Sequence, residues 1–312
     1  MSREVCELLS IGGKEVSAAA NVMPRSGQLV VEDAREEIRK LFMEHITRAK
    51  GLDAVSGRMR VILPTPMAVL QGALLGAQGT ETEKGWGDLL VIDVGGATTD
   101  VHSIGHGQLS GPQIIEQTLP EPFAKRTVEG DLGIRFNAGT LCDRIGFDEF
   151  EKEFRAVFPE VQVSRAELSA YIDNVSTETS SVPRGNWQRA VDAQLARLAV
   201  ELAVERHVGK RERIVTHQGE SWVYYGKDLT ETRTLIGTGG VFIYNAHVSH
   251  ILSPASGVNR HYDVLRPKNP SLFVDSSYLL YAVGLLSQDY PDVAIQLFKK
   301  NMRPLDIPGN SP

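Results

Sequence analysis

Apolar and polar positions along this chain follow two periods, and the changes between them mark the elements. From Glu32 to Ala49, Ile38, Leu41, Phe42 and Ile46 recur at near-helical spacing with charges between them. That pattern predicts an amphipathic helix. Val61-Ile62-Leu63 is a short apolar run closed by Pro64, the pattern of a strand end. Met67 to Leu75 is apolar on nearly every side and predicts a buried helix. After a loop at Lys84 to Gly87, Leu89-Leu90-Val91-Ile92 is unbroken apolar, as expected of a strand covered on both faces. Two short strands with glycine-rich turns are expected next, around Val101 to Ile104 and Ile114 to Thr118. Helical spacing then takes over at Phe147 to Phe158, Arg165 to Asn174 and Asn186 to Val208, with a polar loop from Ser176 to Gly185. The last of these helices is rich in Ala and Leu on several faces, which predicts a central, buried position. Thr232 to Ile236 reads as a strand running into Gly237, and Val241 to Leu252 as one helix. Ser276 to Leu286 and Val293 to Lys299 are the final helices, and Pro304 to Pro312 a frayed tail. Strands alternating with helices argue for an α/β architecture.

Composition narrows the partners. The 312 residues carry 33 basic and 39 acidic side chains, a net charge of −6. No basic block stands out, so nucleic acid is not an expected partner. The two cysteines, Cys6 and Cys142, are far apart and fit no disulfide or CxxC pattern, so a reducing, cytoplasmic setting is expected. No apolar run approaches the roughly 20 residues needed to span a bilayer, and no membrane partner is expected. Arg3, Glu4 and Glu7 interrupt the first residues, unlike a signal peptide.

The sharpest chemical signal is Asp93-Val94-Gly95-Gly96-Ala97-Thr98-Thr99-Asp100 at the end of the buried strand. Gly95 and Gly96 lack a Cβ, so an anion can approach their backbone closely. Thr98 and Thr99 add hydroxyl donors. Two carboxylates beside a phosphate would repel it unless a Mg²⁺ ion sat between, held by Asp93 and Asp100 directly or through water. The same motif could be a plain hairpin turn that uses glycine for positive φ. A second turn, Gly237-Thr238-Gly239-Gly240, repeats the logic: a strand ends in glycines and a helix follows. It could accept a nucleotide's base, ribose or phosphate, or be no more than a tight strand-to-helix turn. No GxxxxGK(S/T) loop and no GxGxxG dinucleotide fingerprint is present.

Together the two turns resemble the second phosphate motif and the adenosine motif of the actin-like ATPase superfamily, which has a ribonuclease H-like fold. Pro64-Thr65-Pro66-Met67-Ala68-Val69-Leu70 resembles the helix that joins the two domains there, and Ser276 to Leu286 sits where a second joining helix is expected. Within the superfamily, five strings resemble the glutamate mutase L (MutL-type) family, which is distinct from the DNA mismatch-repair protein of the same name. They are Asn21-Val22-Met23-Pro24, Ile62-Leu63-Pro64-Thr65-Pro66, Val91 through Ser103, Val128-Glu129-Gly130-Asp131-Leu132-Gly133, and Lys227-Asp228-Leu229-Thr230 followed by Ile236 through Val241.

The resemblance implies an ATP/ADP- and Mg²⁺-binding reactivating factor for the subunits of an adenosylcobalamin-dependent aminomutase, of the glutamate or ornithine type, working by nucleotide-driven domain closure. It implies phosphate contacts from Gly95, Gly96, Thr98 and Thr99, adenosine contacts from Gly237, Thr238, Gly239 and Gly240, and catalytic roles for Asp93 and Asp131. The expected domains are residues 1–87 (the remainder of a first actin-like domain, with a joining helix at about 64–78), 88–275 (a complete second domain) and 276–312 (second joining helix and tail). The superfamily's first phosphate motif has no counterpart before Asp93: Ile11-Gly12-Gly13-Lys14 has glycines but no acidic residue and no strand before it. A partial first domain, as in a fragment or truncated relative, and weak or no ATP hydrolysis by this chain alone are therefore expected.

Two other readings stay open: a small-molecule kinase of the same fold, with Asp131 accepting the hydroxyl proton, and a non-catalytic interaction module. Asp100-Val101-His102-Ser103-Ile104-Gly105 also matches the Asp-x-His-x-x-Gly pattern of cobalamin-ligating domains. The helix such a loop should open is replaced by the turn-rich segment from His106 to Pro112, so His102 is expected on a hairpin strand instead. His247 and His250 are expected to be ordinary surface or core histidines.

Overall fold

A computed structural model describes residues 2–11, 13–26, 28–47, 63–107, 114–116, 121–217, 219–257 and 263–305. The strand end expected at Val61 to Leu63 and the tail expected at Pro304 to Pro312 fall largely outside these residues, as does part of the turn segment after His106. Two compact units divide at Pro64, one covering Met1–Pro64 and the other Thr65–Pro312. The first unit holds α1 (Ser2–Leu9) and α2 (Glu32–Thr47), the latter the expected amphipathic helix with Glu32 and Asp33 in its first turn. Acidic residues there face the positive end of the helix dipole.

The second unit begins with α3 (Thr65–Gln78) and contains a mixed sheet. Its strands are β1 (Leu89–Val94), β2 (Thr99–Ile104), β4 (Ala124–Glu129), β7 (Thr234–Thr238), β8 (Ser271–Asp275) and β9 (Met302–Pro304). Their spatial order is β4-β2-β1-β7-β8-β9. β1 and β2 form an antiparallel hairpin, β4 continues it antiparallel, and β7 and β8 lie parallel to β1 on the other side. A smaller sheet of β3 (Ile114–Glu116), β6 (Gly219–Tyr225) and β5 (Lys210–Thr216) stands apart.

The unbroken apolar run of β1 has a direct reason. Leu90, Ile92 and Val94 point into one core with the helices α4 (Ala138–Ile145), α5 (Phe147–Val157), α6 (Arg165–Thr177) and α7 (Asn186–His207), while Leu89 and Val91 point into a second core. Helix α7 is central, as its composition predicts: Ala190, Ala193, Ala196, Ala199 and Ala203 are all buried. α6 starts with a capping box in which Ser164 Oγ accepts from the Glu167 N–H and the Glu167 carboxylate from the Ser164 N–H, the arrangement expected of a Ser-x-x-Glu start.

The second core is roofed by α3, α10 (Leu280–Leu286) and α11 (Pro291–Asn301). α3 and α10 touch backbone to backbone. A Cβ on Gly72 would collide with the Leu280 carbonyl, and one on Gly284 with the Ala68 carbonyl, so glycine is needed on both helices.

The expected helix from Val241 to Leu252 is two: α8 (Gly240–Tyr244) and α9 (Val248–Leu252). Between them the Asn245 side chain accepts the His247 N–H at 3.0 Å, a local bond that competes with helix continuation. The helix expected from Ser276 begins only at Leu280. Asp275 accepts the N–H groups of Leu279 and Leu280, both at 2.9 Å, and Tyr278 adopts a left-handed φ of 52° just before it.

Candidate functional site

The sheet brings the two glycine-rich turns side by side. β1 and β7 are parallel neighbours, with Asp93 opposite Thr238, so both turns open at the same, carboxyl edge. Gly239 has φ +108°. A Cβ there would lie 2.5 Å from the Val94 carbonyl oxygen and 3.0 Å from Asp93 Oδ1. Only glycine lets the second turn lie against the first.

In the first turn the Gly95 N–H donates to the Thr98 carbonyl at 2.9 Å. The Gly95 and Gly96 carbonyls are taken up by the N–H groups of Ile134, Arg135 and Phe136 at 2.9–3.1 Å. Among the described residues, the N–H groups of Gly96, Ala97 and Thr98 keep no partner, and this stretch is partly open to solvent. Consecutive free N–H groups on a fixed loop favour an anion.

Three aspartates crowd the edge beside it: Asp93, Asp100 and Asp275. Asp93 is 8% exposed, and its carboxylate accepts no hydrogen bond among the described residues. Burial, then the charges of Asp100 and Asp275, push its carboxyl up to about 7, against a smaller opposing pull from Arg126. Asp100 is better served. Its Oδ1 accepts from Arg126 Nε and Nη2 at 3.1 and 3.0 Å, and its Oδ2 from the Thr98 hydroxyl at 3.3 Å. Asp275 is saturated by Thr238 Oγ1 at 2.8 Å, by Asn301 Nδ2 and by the start of α10. Asp93 is thus the carboxylate left short of positive charge, a setting that a divalent cation would relieve. Among the described residues, no three His, Cys, Asp or Glu side chains are grouped so as to hold a metal by themselves. A Mg²⁺ here would draw its remaining ligands from phosphate oxygens and water.

A cavity of about 400 Å³ adjoins the turns, lined by Gly95 and Gly96 from the first, Gly240 and Val241 from the second, the 179–183 loop, Tyr244 and Tyr278. Its floor is pinned by Arg135. This guanidinium pairs with both oxygens of buried Asp192 at 3.1 and 2.6 Å, and its Nε donates to the Ser181 carbonyl at 3.2 Å. The Tyr171 hydroxyl completes Asp192 at 2.9 Å.

The matching family model is described as MutL protein and covers residues 1–302. The chain belongs to the MutL family. It is 40% identical over 301 residues to Protein MutL of Clostridium tetanomorphum. The match covers 96% of this chain and 64% of the relative, so the chain spans under two thirds of that protein's length.

On this MutL chain the residues singled out by sequence divide. Gly95, Gly96, Thr98, Asp93, Asp100, Gly239 and Gly240 meet at one edge. Gly237 and Thr238 lie inside β7, with the Thr238 hydroxyl committed to Asp275. Thr99 is fully buried and donates to the Leu132 carbonyl at 2.7 Å. Asp131 sits on the turn after β4, 38% exposed. Arg206 grips both of its oxygens at 2.7 and 2.9 Å, and Arg144 adds a further bond. Those partners, the Arg206 bonds first, hold its carboxyl down to about 2.

His102 lies on β2, as expected. It is fully buried, neither ring nitrogen has a partner among the described residues, and burial lowers its pKa to about 3. His247 and His250 pack edge-on against Phe158. Asp275, Tyr278, Arg126 and the Arg135–Asp192 pair did not stand out in the sequence. Asp275 had a readable signal, since Leu272-Phe273-Val274 runs apolar into an aspartate as Leu89 to Ile92 does into Asp93. A left-handed tyrosine has no such signature.

Proposed function

We propose that this chain carries a Mg-nucleotide site of actin-like type, the ATP/ADP-binding part of a factor that reactivates an adenosylcobalamin-dependent aminomutase of the glutamate or ornithine class. The observation that carries the site reading is the meeting of the two glycine-rich turns at the carboxyl ends of β1 and β7, with underneutralised Asp93 between them. The order β4-β2-β1-β7-β8, antiparallel then parallel, and the close glycine-mediated packing of α3 on α10 fit the same fold reading. The aminomutase partner rests on the family resemblance alone.

In this reading the free N–H groups of Gly96, Ala97 and Thr98 cradle phosphate oxygens. Asp93 and Asp100 would hold a Mg²⁺ ion, directly or through water, and the ion would supply the charge that offsets phosphates and carboxylates together. Gly239 and Gly240 give flat backbone for the nucleoside end. Asp131, with both oxygens engaged by arginines, is suited to holding the turn behind the phosphate loop. A kinase would need that same carboxylate free to accept a proton, so the geometry favours the reactivating ATPase over the kinase.

Calorimetric titration of the chain with ATP and ADP, with Mg²⁺ and with excess chelator, tests the site. Magnesium-dependent binding is expected. No binding in either condition would overturn the nucleotide reading.

A further inference from the structure

The cavity beside the glycine turns says something about the ligand's other end. Exposed apolar side chains scattered singly are ordinary on a protein surface. Here two of the most exposed in the unit, Tyr244 at 75% and Val182 at 71%, come from separate segments and line one cavity. Tyr244 closes α8, directly after the second glycine turn, and makes no ring contact with another aromatic among the described residues. Val182 sits on the 179–183 loop, whose Ser181 carbonyl is held by Arg135. That loop is therefore fixed in place without Val182 being packed.

The polar groups of the cavity are as informative as the apolar ones. Among the described residues, the charged side chains that line it are Arg135 and Asp192, which neutralise each other through two bonds. Asp192 Oδ1 also accepts from Tyr171. The Asn245 amide is committed too: Nδ2 donates to the Arg189 carbonyl at 2.7 Å and Oδ1 accepts the His247 N–H. Among the described residues, the polar lining side chains left without a hydrogen-bond partner are hydroxyls, on Thr179, Ser180, Ser181, Tyr244 and Tyr278. A hydroxyl rotates and both donates and accepts, so it satisfies a keto edge as readily as an amino edge. Strong discrimination between such ligands needs a fixed, buried donor or acceptor that the wrong ligand leaves unpaired.

We propose that Tyr244 and Val182 form a stacking platform for the base of the nucleotide, and that this platform reads an aromatic face rather than a base edge, so purine nucleotides are accepted with little distinction. The proposal rests on the nucleotide reading above and specifies its substrate class. The cavity volume of about 400 Å³ lies within the range of small-ligand pockets. Stacking of a base on an aromatic ring is sequence-tolerant, because every base has a π-face.

The test is calorimetry on the chain with three probes: Mg-ATP, Mg-GTP and Mg-tripolyphosphate, which has phosphates and no base. The wild type is expected to bind ATP and GTP within tenfold of each other. Tyr244→Ala should weaken both nucleotides about tenfold or more and leave tripolyphosphate unchanged. Tyr244→Phe, which keeps the ring, should restore nucleotide binding, and Val182→Ser should weaken both nucleotides by a smaller factor. Tyr244 is exposed, so these variants leave the core intact, and a circular-dichroism melt checks this.

A preference above tenfold for either nucleotide, or an unchanged ATP affinity in Tyr244→Ala, would overturn the platform while leaving the nucleotide site standing. Binding of none of the three probes would remove the nucleotide site and the platform together.

Discussion

Asp93 is the penultimate residue of a strand buried on both faces, and Asp131 sits on a surface turn two strands away. The sequence pattern marks both for chemistry, yet their surroundings push them apart, to about 7 and about 2. Asp93 faces two further aspartates with one arginine near, and its carboxylate accepts no hydrogen bond among the described residues. Asp131 is held by two arginines, Arg144 and an Arg206 that it shares with Glu129. A carboxylate of the second kind is already satisfied and stabilises the turn that carries it. One of the first kind costs stability until something positive arrives, and such costs gather at sites that await a ligand. Environment, rather than residue type, separates the two carboxylates here.

The comparison breaks most easily at Asp93. Asp93→Asn should weaken Mg-ATP about 10- to 100-fold, the range seen when a group acting on a metal through its outer shell is lost, and should flatten the magnesium dependence of nucleotide binding. The same substitution should raise stability by about 1 kcal/mol or more at pH 8 without magnesium. The unfolded carboxyl ionises near 3.8 and the folded one near 7, so at pH 8 the folded chain bears the cost of the charge. Denaturant melts measure it. A loss of stability in the Asn variant would mean that Asp93 is not the crowded carboxylate described.

The next largest effect concerns the contact between the turns. Gly239→Ala places a Cβ 2.5 Å from the Val94 carbonyl oxygen at a φ of +108°, and should cost more than about 1 kcal/mol. It should also weaken nucleotide binding by displacing Asp93. Gly240→Ala is the control: a Cβ there meets nothing within 4 Å, and its stability should change by no more than about 0.5 kcal/mol. Equal effects from the two alanines would show that the turns do not depend on each other.

Much of this site was legible because it is local. A strand buried on both faces is an unbroken apolar run, and its glycine turn follows within four residues, so Asp93, Gly95 and Gly96 could be read directly. The long buried helix α7 betrayed itself by alanine on several faces. What could not be read is what long-range pairing creates. β4 alternates polar and apolar residues too weakly to announce a strand, Ala-Lys-Arg-Thr-Val-Glu over 124–129, and it forms because β2 offers an antiparallel edge. Arg126 reaches Asp100 only through that pairing. Arg135 meets Asp192 across 57 residues. The break between α8 and α9 turns on a single Asn245 side chain, which helical spacing alone does not expose.

The smallest effect is the one that sharpens the comparison from the other side. Asp131→Asn removes an anion from a surface network with Arg206 and Arg144, and exposed pairs of this kind contribute about 1 kcal/mol or less. Mg-ATP affinity should stay within about twofold of wild type, a change well under 1.4 kcal/mol. The sign of the pH dependence is opposite to that of Asp93. The folded carboxyl is held at about 2, below its ordinary 3.8. Its contribution is therefore present above pH 4 and is lost as pH falls from about 4 toward 2. The Asn variant should lack that part of the acid limb, and added salt should shrink the difference between the two proteins near neutrality. Turnover, where it is measured, gives the decisive split. If Asp131 accepts or relays a proton in the reaction, the Asn variant loses kcat at unchanged KM. If it holds the turn, kcat persists and only the acid stability moves.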